Sequence, residues 1–250
     1  MNKKIIVYTA LFGDYGGLIE QPKLKNVDYI CYTDRKDLKS KSWKIIQVLQ
    51  PVKGDATRSN RYFKILAHKH LPSEYSISIY IDANILIFKK FLDLVFDKMS
   101  VAKMAYFDHM QTTRDPRDCI YEEHQAILDI AEKYNVIKGD PEIMDRQMKR
   151  FRKEGYPEHN GLISAAILIR KHFDQEIINL MEKWWSIVLN ESKRDQLSFN
   201  YATWKLNFKN FSIIEGDIRE GNPWFYLITH RKKYKYKVFR VKLNRFFRLK

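Results

Sequence analysis

The sequence predicts an α/β fold, a parallel or mixed sheet covered by helices, from three observations. Short β-branched runs alternate along the chain with longer amphipathic stretches, as such sheets require. The stretch SISIYIDANILI, Ser76 to Ile87, places Ile77, Ile79 and Ile81 on one face and stops at Asp82, which reads as an interior strand ending in a polar turn. A chain of 250 residues, 45% hydrophobic and 30% charged, is long enough to bury one large core and excludes extensive disorder.

Lys4 to Phe12 reads as the first strand, followed by a loop with Gly13, Gly16 and Gly17. Two lysines before an apolar run imitate a leader peptide, but Tyr8 and Thr9 interrupt the run and GDYGG lacks a small-x-small cleavage site. Tyr29 to Thr33, ending at Asp34, is the second strand, and Trp43 to Val48 the third. Arg58 to Leu71 is a helix with two faces: Tyr62, Phe63, Leu66, Ala67 and Leu71 on the buried side, and Arg58, Arg61, Lys64 and His68 on the other with Ile65 among them. That basic row is either a solvated face or, because the helix leads into the Asp82 strand, a group of cations beside a bound diphosphate.

Leu92 to Met99 is helical and Lys103 to Phe107 a short strand. The polar stretch beyond it holds Asp108, His109, Arg114, Arg117, Asp118, Glu122 and Glu123. A helix from about Asp118 to Tyr134 with an acidic first turn explains Glu122 and Glu123 without chemistry. His109 and His124 have no second His or Cys at metal-ligand spacing. A helix from Pro141 to Glu154 follows, then a buried strand, Gly161 to Arg170, whose small Ser164, Ala165 and Ala166 admit a ligand or another backbone. Asp174 to Asn190 is an amphipathic helix, and Asp195 and Gln196 open the next.

Two pairs of residues carry candidate chemistry. Asp82 and Asn84 set two hard oxygen ligands on a short turn at the carboxyl end of a strand, where open α/β sheets bind ligands, and such oxygens suit Mg²⁺ or Mn²⁺. The plainer reading is a capping Asp and a turn Asn. Asp195 is either an N-terminal cap or, with Gln196, a base or a stabiliser of a cationic transition state.

The order of YTALFGDY, YICYTD, RSNRYFKILAHKHLP, IYIDANI, the His109 to Glu123 region, EGYPEHNGLISAAILIRKH and RDQLSF followed by His230 resembles the glycosyltransferase-like family typified by plant TOD/MUCI proteins. The resemblance covers nearly all the chain to about His230. It implies a GT-A type nucleotide-sugar fold, a mixed sheet flanked by helices over residues 1–230, with Asp82 and Asn84 at the D-x-D position. A broader similarity to the retaining galactosyltransferase and glycogenin group implies His230 as third ligand to Mn²⁺ or Mg²⁺. It also implies Ala165 and Ala166 against the sugar, and Asp195 with Gln196 at the anomeric centre. By the same analogy Thr9, Ala10, Tyr15 and Asp34 meet the nucleoside; the helix position read above adds Arg58, Arg61 and Lys64 beside the diphosphate, and Ala83, between Asp82 and Asn84, is a further candidate for donor binding. Asn84 in place of a second acid, and Ala165-Ala166 in place of a small-glycine pair, depart from that pattern. The expected function is metal-dependent transfer of a sugar from a nucleotide-sugar, of the UDP class, to a glycan or lipid-linked acceptor.

Charge sharpens the list of partners. The formal net charge is +15, and residues 231–250 carry ten Lys and Arg and no acid, so the body is only mildly basic. That tail, mixed with Tyr234, Tyr236, Val238, Phe239, Phe246, Phe247 and Leu249, is suited to an anionic membrane surface. It reads as part strand, part helical end. A nucleic-acid-binding protein would explain the charge but leaves an acid at the end of the central strand without a purpose. A noncatalytic carbohydrate-binding protein on the same fold is the other rival. Cys31 and Cys119, far apart and outside any C-x-x-C, predict reduced thiols, and no run approaches the roughly 20 apolar residues of a membrane span. The expected location is the cytoplasm, peripheral at the inner face of the membrane.

Overall fold

The computed structural model describes residues 4–14, 16–88, 90–136, 139–219, 221–228, 236, 238–241 and 243–244. Seven strands form one mixed sheet in the order β3-β2-β1-β4-β7-β6-β8. Its first four members are β1 (Lys4–Leu11), β2 (Val27–Thr33), β3 (Lys44–Gln47) and β4 (Tyr75–Ile81), all parallel. β6 (Met104–Asp108) and β8 (Phe211–Ile214) pair parallel with each other, and β7 (Ile163–Arg170) runs antiparallel between β4 and β6.

Strand alternation divides the core into two layers. Tyr8, Tyr80, Tyr106 and Leu168 face a layer built by α1 (Ala56–Ile65), α3 (Ile120–Tyr134), α4 (Pro141–Lys153), α5 (Gln175–Asn190) and α6 (Gln196–Lys205). Ile77, Ile79 and Ile81 face the other layer, as their period of two requires, against α2 (Phe91–Val101) and a two-stranded ribbon of β5 (Ile85–Ile87) and β9 (Phe225–Leu227). The chain therefore has the mixed sheet flanked by helices that its pattern of elements predicts.

Three readings of local structure change. α1 stops at Ile65 because Leu66 leaves helical geometry (φ −90°, ψ 49°), and Ala67–Lys69 continues as a single 3₁₀ turn. Of its expected faces, Phe63, Leu66, Ala67 and Leu71 are buried as predicted, but Lys64 and Ile65 are buried too and Tyr62 is only half-buried. The pattern of apolar residues cannot show that a lysine goes inward, since its charge is answered by a residue 131 positions away. The described tail residues Tyr236, Val238 to Val241, Leu243 and Asn244 are helical, not extended. β5, β8 and β9, three or four residues long, have no counterpart in the sequence reading.

Candidate functional site

Strands β1 and β4 lie side by side and parallel, so their carboxyl ends reach the same edge of the sheet. The segment after β1, the first turns of α1 and the turn after β4 form one wall of a cleft of about 1610 Å³. Its opposite wall is Val136, Gly139 to Ile143 and Glu191 to Arg194. Gly13 belongs to this lining and has φ +62°, and a Cβ there would come within 3.2 Å of Ala56 Cβ, so a side chain would crowd the start of α1.

The Asp82 turn is fixed mainly by its backbone. Asp82 N donates to Ala166 O (2.9 Å), Ile85 N to Asp82 O (2.9 Å), Ile19 N to Ala83 O (3.0 Å) and Ile228 N to Asn84 O (2.8 Å). With these amides and carbonyls satisfied, the Asp82 and Asn84 side chains are left to line the cleft. Asp82 Oδ1 accepts from Tyr80 Oη (2.9 Å), and Oδ2 accepts no hydrogen bond among the described residues. Burial, then the Asp82 charge, pushes the Tyr80 hydroxyl well above its ordinary pKa, so it remains a donor to the carboxylate. One carboxylate and one amide oxygen on a rigid turn fit a hard divalent cation, which takes oxygen ligands and keeps several waters.

Beneath the cleft lies a buried charge cluster. Asp195 Oδ2 contacts Lys64 Nζ, and Arg61 Nε approaches the same oxygen at 3.1 Å. Asp195 is 3% exposed and makes no side-chain capping bond to α6. Its backbone carbonyl accepts from Trp184 Nε1 (3.0 Å). Burial alone would raise the carboxyl pKa, but Arg61 and Lys64 outweigh it and hold the group far below the usual range. Burial, followed by the opposing pull of Asp195 and the push of Arg61, leaves Lys64 below an ordinary lysine. Lys64 Nζ also lies 5.2 Å from the centre of the Tyr80 ring. A connected row thus runs from Asp82 through Tyr80 and Lys64 to Asp195 and Arg61, and Arg61 faces the cleft.

The other expected site residues divide clearly. Ala10, Arg58 and Ala83 line the cleft with Arg61, Asp82 and Asn84. Arg58 is committed to Asp55, Val188 O and Glu191 O, tying α1 to the end of α5. Thr9, Asp34, Ala165, Ala166 and Gln196 stand outside the lining. Thr9 is fully buried in the sheet, and Asp34 accepts from Gly13 N (3.0 Å) and Gln50 Nε2 (2.6 Å), shaping the loop after β1. Ala165 is buried, Ala166 holds the Asp82 amide, and Gln196 Nε2 donates to Ile163 O (2.9 Å). Tyr15 and His230 lie outside the described residues.

Sequence reasoning missed two groups. Glu123, expected on an ordinary acidic first turn, is buried and accepts from Arg117 Nε (3.0 Å) and Nη2 (2.7 Å), with Arg194 of the cleft wall at 3.7 Å. Asp118, Glu122 and His159 bring one ligand atom each within 4.8 Å of one another at the surface, and His159 Nδ1 is 2.7 Å from Asp118 Oδ1. His159 is 41 residues from Asp118, so no local spacing announces the trio.

The model of the TOD1/MUCI70 glycosyltransferase-like domain matches residues 2–216. Among solved structures, the WbbM bifunctional glycosyltransferase in its apo form is similar at TM-score 0.47 and 10% identity over 86% of this chain; the chain spans 39% of that one. Mouse xyloside xylosyltransferase 1, also apo, is similar at TM-score 0.42 and 8% identity, over 85% of both chains. No curated protein is similar at a significant level.

Proposed function

Because the chain belongs to the TOD1/MUCI70 family of glycosyltransferase-like domains and is by class a glycosyltransferase, we propose that it moves a sugar from a nucleotide-sugar, of the UDP class, to a glycan or lipid-linked acceptor. The observation that carries this reading is the placement of Arg61, which lines the same cleft as Asp82 and Asn84 while contacting the buried Asp195.

Transfer separates a nucleoside diphosphate from a sugar, so negative charge grows on the leaving group while the sugar becomes oxocarbenium-like. Arg61 answers the first change, aimed at the cleft and held in place by Asp195. Asp82 and Asn84 would hold Mg²⁺ or Mn²⁺, which supplies Lewis-acid stabilisation of the departing diphosphate. Asp195, buried below the cleft between Arg61 and Lys64, acts on the transfer by holding Arg61 in place and tempering the positive charge beneath the sugar. Held so far below the ordinary carboxylate range, it is a poor base, and that favours the electrostatic role over proton abstraction.

Titration of UDP into wild type and Asp82→Ala, with and without Mn²⁺, tests the assignment. Affinity that rises with Mn²⁺ in wild type and loses that rise in the variant is expected; equal, metal-independent affinity in both overturns it. A thermal-shift screen of nucleotide sugars then identifies the donor.

A further inference from the structure

The described tail residues form a helical surface with two unlike sides. Tyr236, Phe239 and Leu243, spaced i, i+3 and i+7, share one side and are 68%, 63% and 41% exposed. Val238 and Val241 fall on the opposite side; Val241 is 8% exposed, and Val238 packs against Ile19, Leu86 and Ile228. The helix therefore has its inward anchor satisfied and still presents a row of large apolar groups to solvent. Exposed Arg240 lies within that row.

We propose that this outward row is a docking surface for an anionic lipid membrane. The ten Lys and Arg residues between 231 and 250, with no acid among them, select an anionic partner, and a second copy of a chain bearing +15 would be repelled. Two rings and a leucine on one side of a helix match the acyl boundary of a bilayer, while basic residues in the same segment meet the headgroups. A nucleic acid would satisfy the charge but gives Leu243 nothing to enter.

The docked helix would lie directly behind the cleft. Ile19 and Ile228, two of the three residues under Val238, are the same residues whose amides hold Ala83 O and Asn84 O; the third, Leu86, follows Asn84 by two positions. Membrane contact is thereby transmitted to the backbone of the Asp82 turn. This surface stands independently of the donor and metal assigned above.

Sedimentation of the full chain with vesicles of phosphatidylcholine, or of phosphatidylcholine mixed with phosphatidylglycerol, tests the proposal at low and high salt. The expected result is binding to the mixed vesicles that weakens with salt and falls about tenfold in the Phe239→Ser, Leu243→Ser variant. Both positions are exposed, and an unchanged melting temperature confirms that the variant folds. Hydrogen exchange at the Ile19 and Ile228 amides should slow when mixed vesicles are added. The proposal is overturned if the full chain ignores mixed vesicles at low salt, if it binds pure phosphatidylcholine equally well, or if the folded variant binds undiminished. Tighter binding to single-stranded DNA than to mixed vesicles would overturn it in favour of a nucleic-acid partner.

Discussion

Lys64, in the last turn of α1, and Arg170, on β7 and bonded to that turn, are both buried, 2% and 0% exposed, yet they are answered in opposite ways. Lys64 meets a carboxylate, Asp195, which it shares with Arg61 at the floor of the cleft. Arg170 meets no carboxylate among the described residues. Its guanidinium donates to Ile65 O (3.0 Å), Lys64 O (2.8 Å) and the Tyr8 hydroxyl, the last of which donates on to Lys64 O (2.9 Å). It thus satisfies the last carbonyls of a helix that ends at Ile65, while His70 and His172 lie buried nearby, their ring nitrogens without hydrogen-bond partners among the described residues. The two regions meet at one residue, since the Lys64 side chain serves the cleft and its carbonyl serves Arg170. A buried cation answered by an ion adjusts the field of a site. One answered by dipoles fixes a backbone.

The largest effect should come from the ionic region. Asp195→Asn leaves two cations around a neutral amide, so turnover should fall by about 100-fold or more. Unfolding free energy should drop by about 4 kcal/mol, the order seen when one partner of a buried pair is removed. Steady-state assay and urea denaturation check this. A folded variant with full turnover would reduce Asp195 to a structural partner and remove the contrast.

Acid should act on the dipolar region. Burial, then Arg170, holds His70 down to about 3 and His172 to about 4, against an ordinary 6.5. Above pH 6.5 folded and unfolded chains are both neutral at these rings, and the stability is fully present. As pH falls below 6.5 the unfolded chain takes up protons that the folded chain refuses, so stability is lost progressively toward pH 4 and 3. At pH 5 the loss is about 2 kcal/mol for each ring. Denaturation midpoints from pH 7 to 5 report it, and His70→Phe, placed among Tyr8, Tyr32 and Phe63, should remove about half of the slope. A slope unchanged in that variant would assign the acid sensitivity elsewhere.

Arg170→Met sharpens the comparison from the other side. Leaving Ile65 O without its donor, and Lys64 O with the Tyr8 hydroxyl alone, should cost about 3 kcal/mol of stability while UDP affinity of the folded fraction stays at the wild-type value. Lost affinity at full stability would mean that the two regions are not separable. The smallest effect is expected for Gln196→Ala. Its bond to Ile163 O is worth about 1 kcal/mol, and turnover should change only a few-fold, in contrast to its neighbour Asp195.

What the sequence determined by itself is what repeats locally. The period of two in Ile77, Ile79 and Ile81 gave the central strand and its inward face, and Asp82 and Asn84 could be placed at its end because strand termination is a local event. The starts of α4 at Pro141 and α5 after Asp174 were equally legible from helix-start signals, as Asp174 accepts from Glu176 N. The order of motifs along most of the chain sufficed for the family. Tertiary structure alone decided which polar groups meet. By sequence Lys64 is either a solvated lysine or a diphosphate cation, and Asp195 a helix cap or a site acid, until a contact across 131 residues pairs them, and Glu123 reads as an acidic first turn until Arg117 closes over it. Gln196 and Asp34, attractive by position, are drawn into holding β7 and the loop after β1. Periodicity records which side chains avoid water, whereas the partner of a buried charge is set by the crossing of elements distant in the chain, and no local pattern encodes that distance.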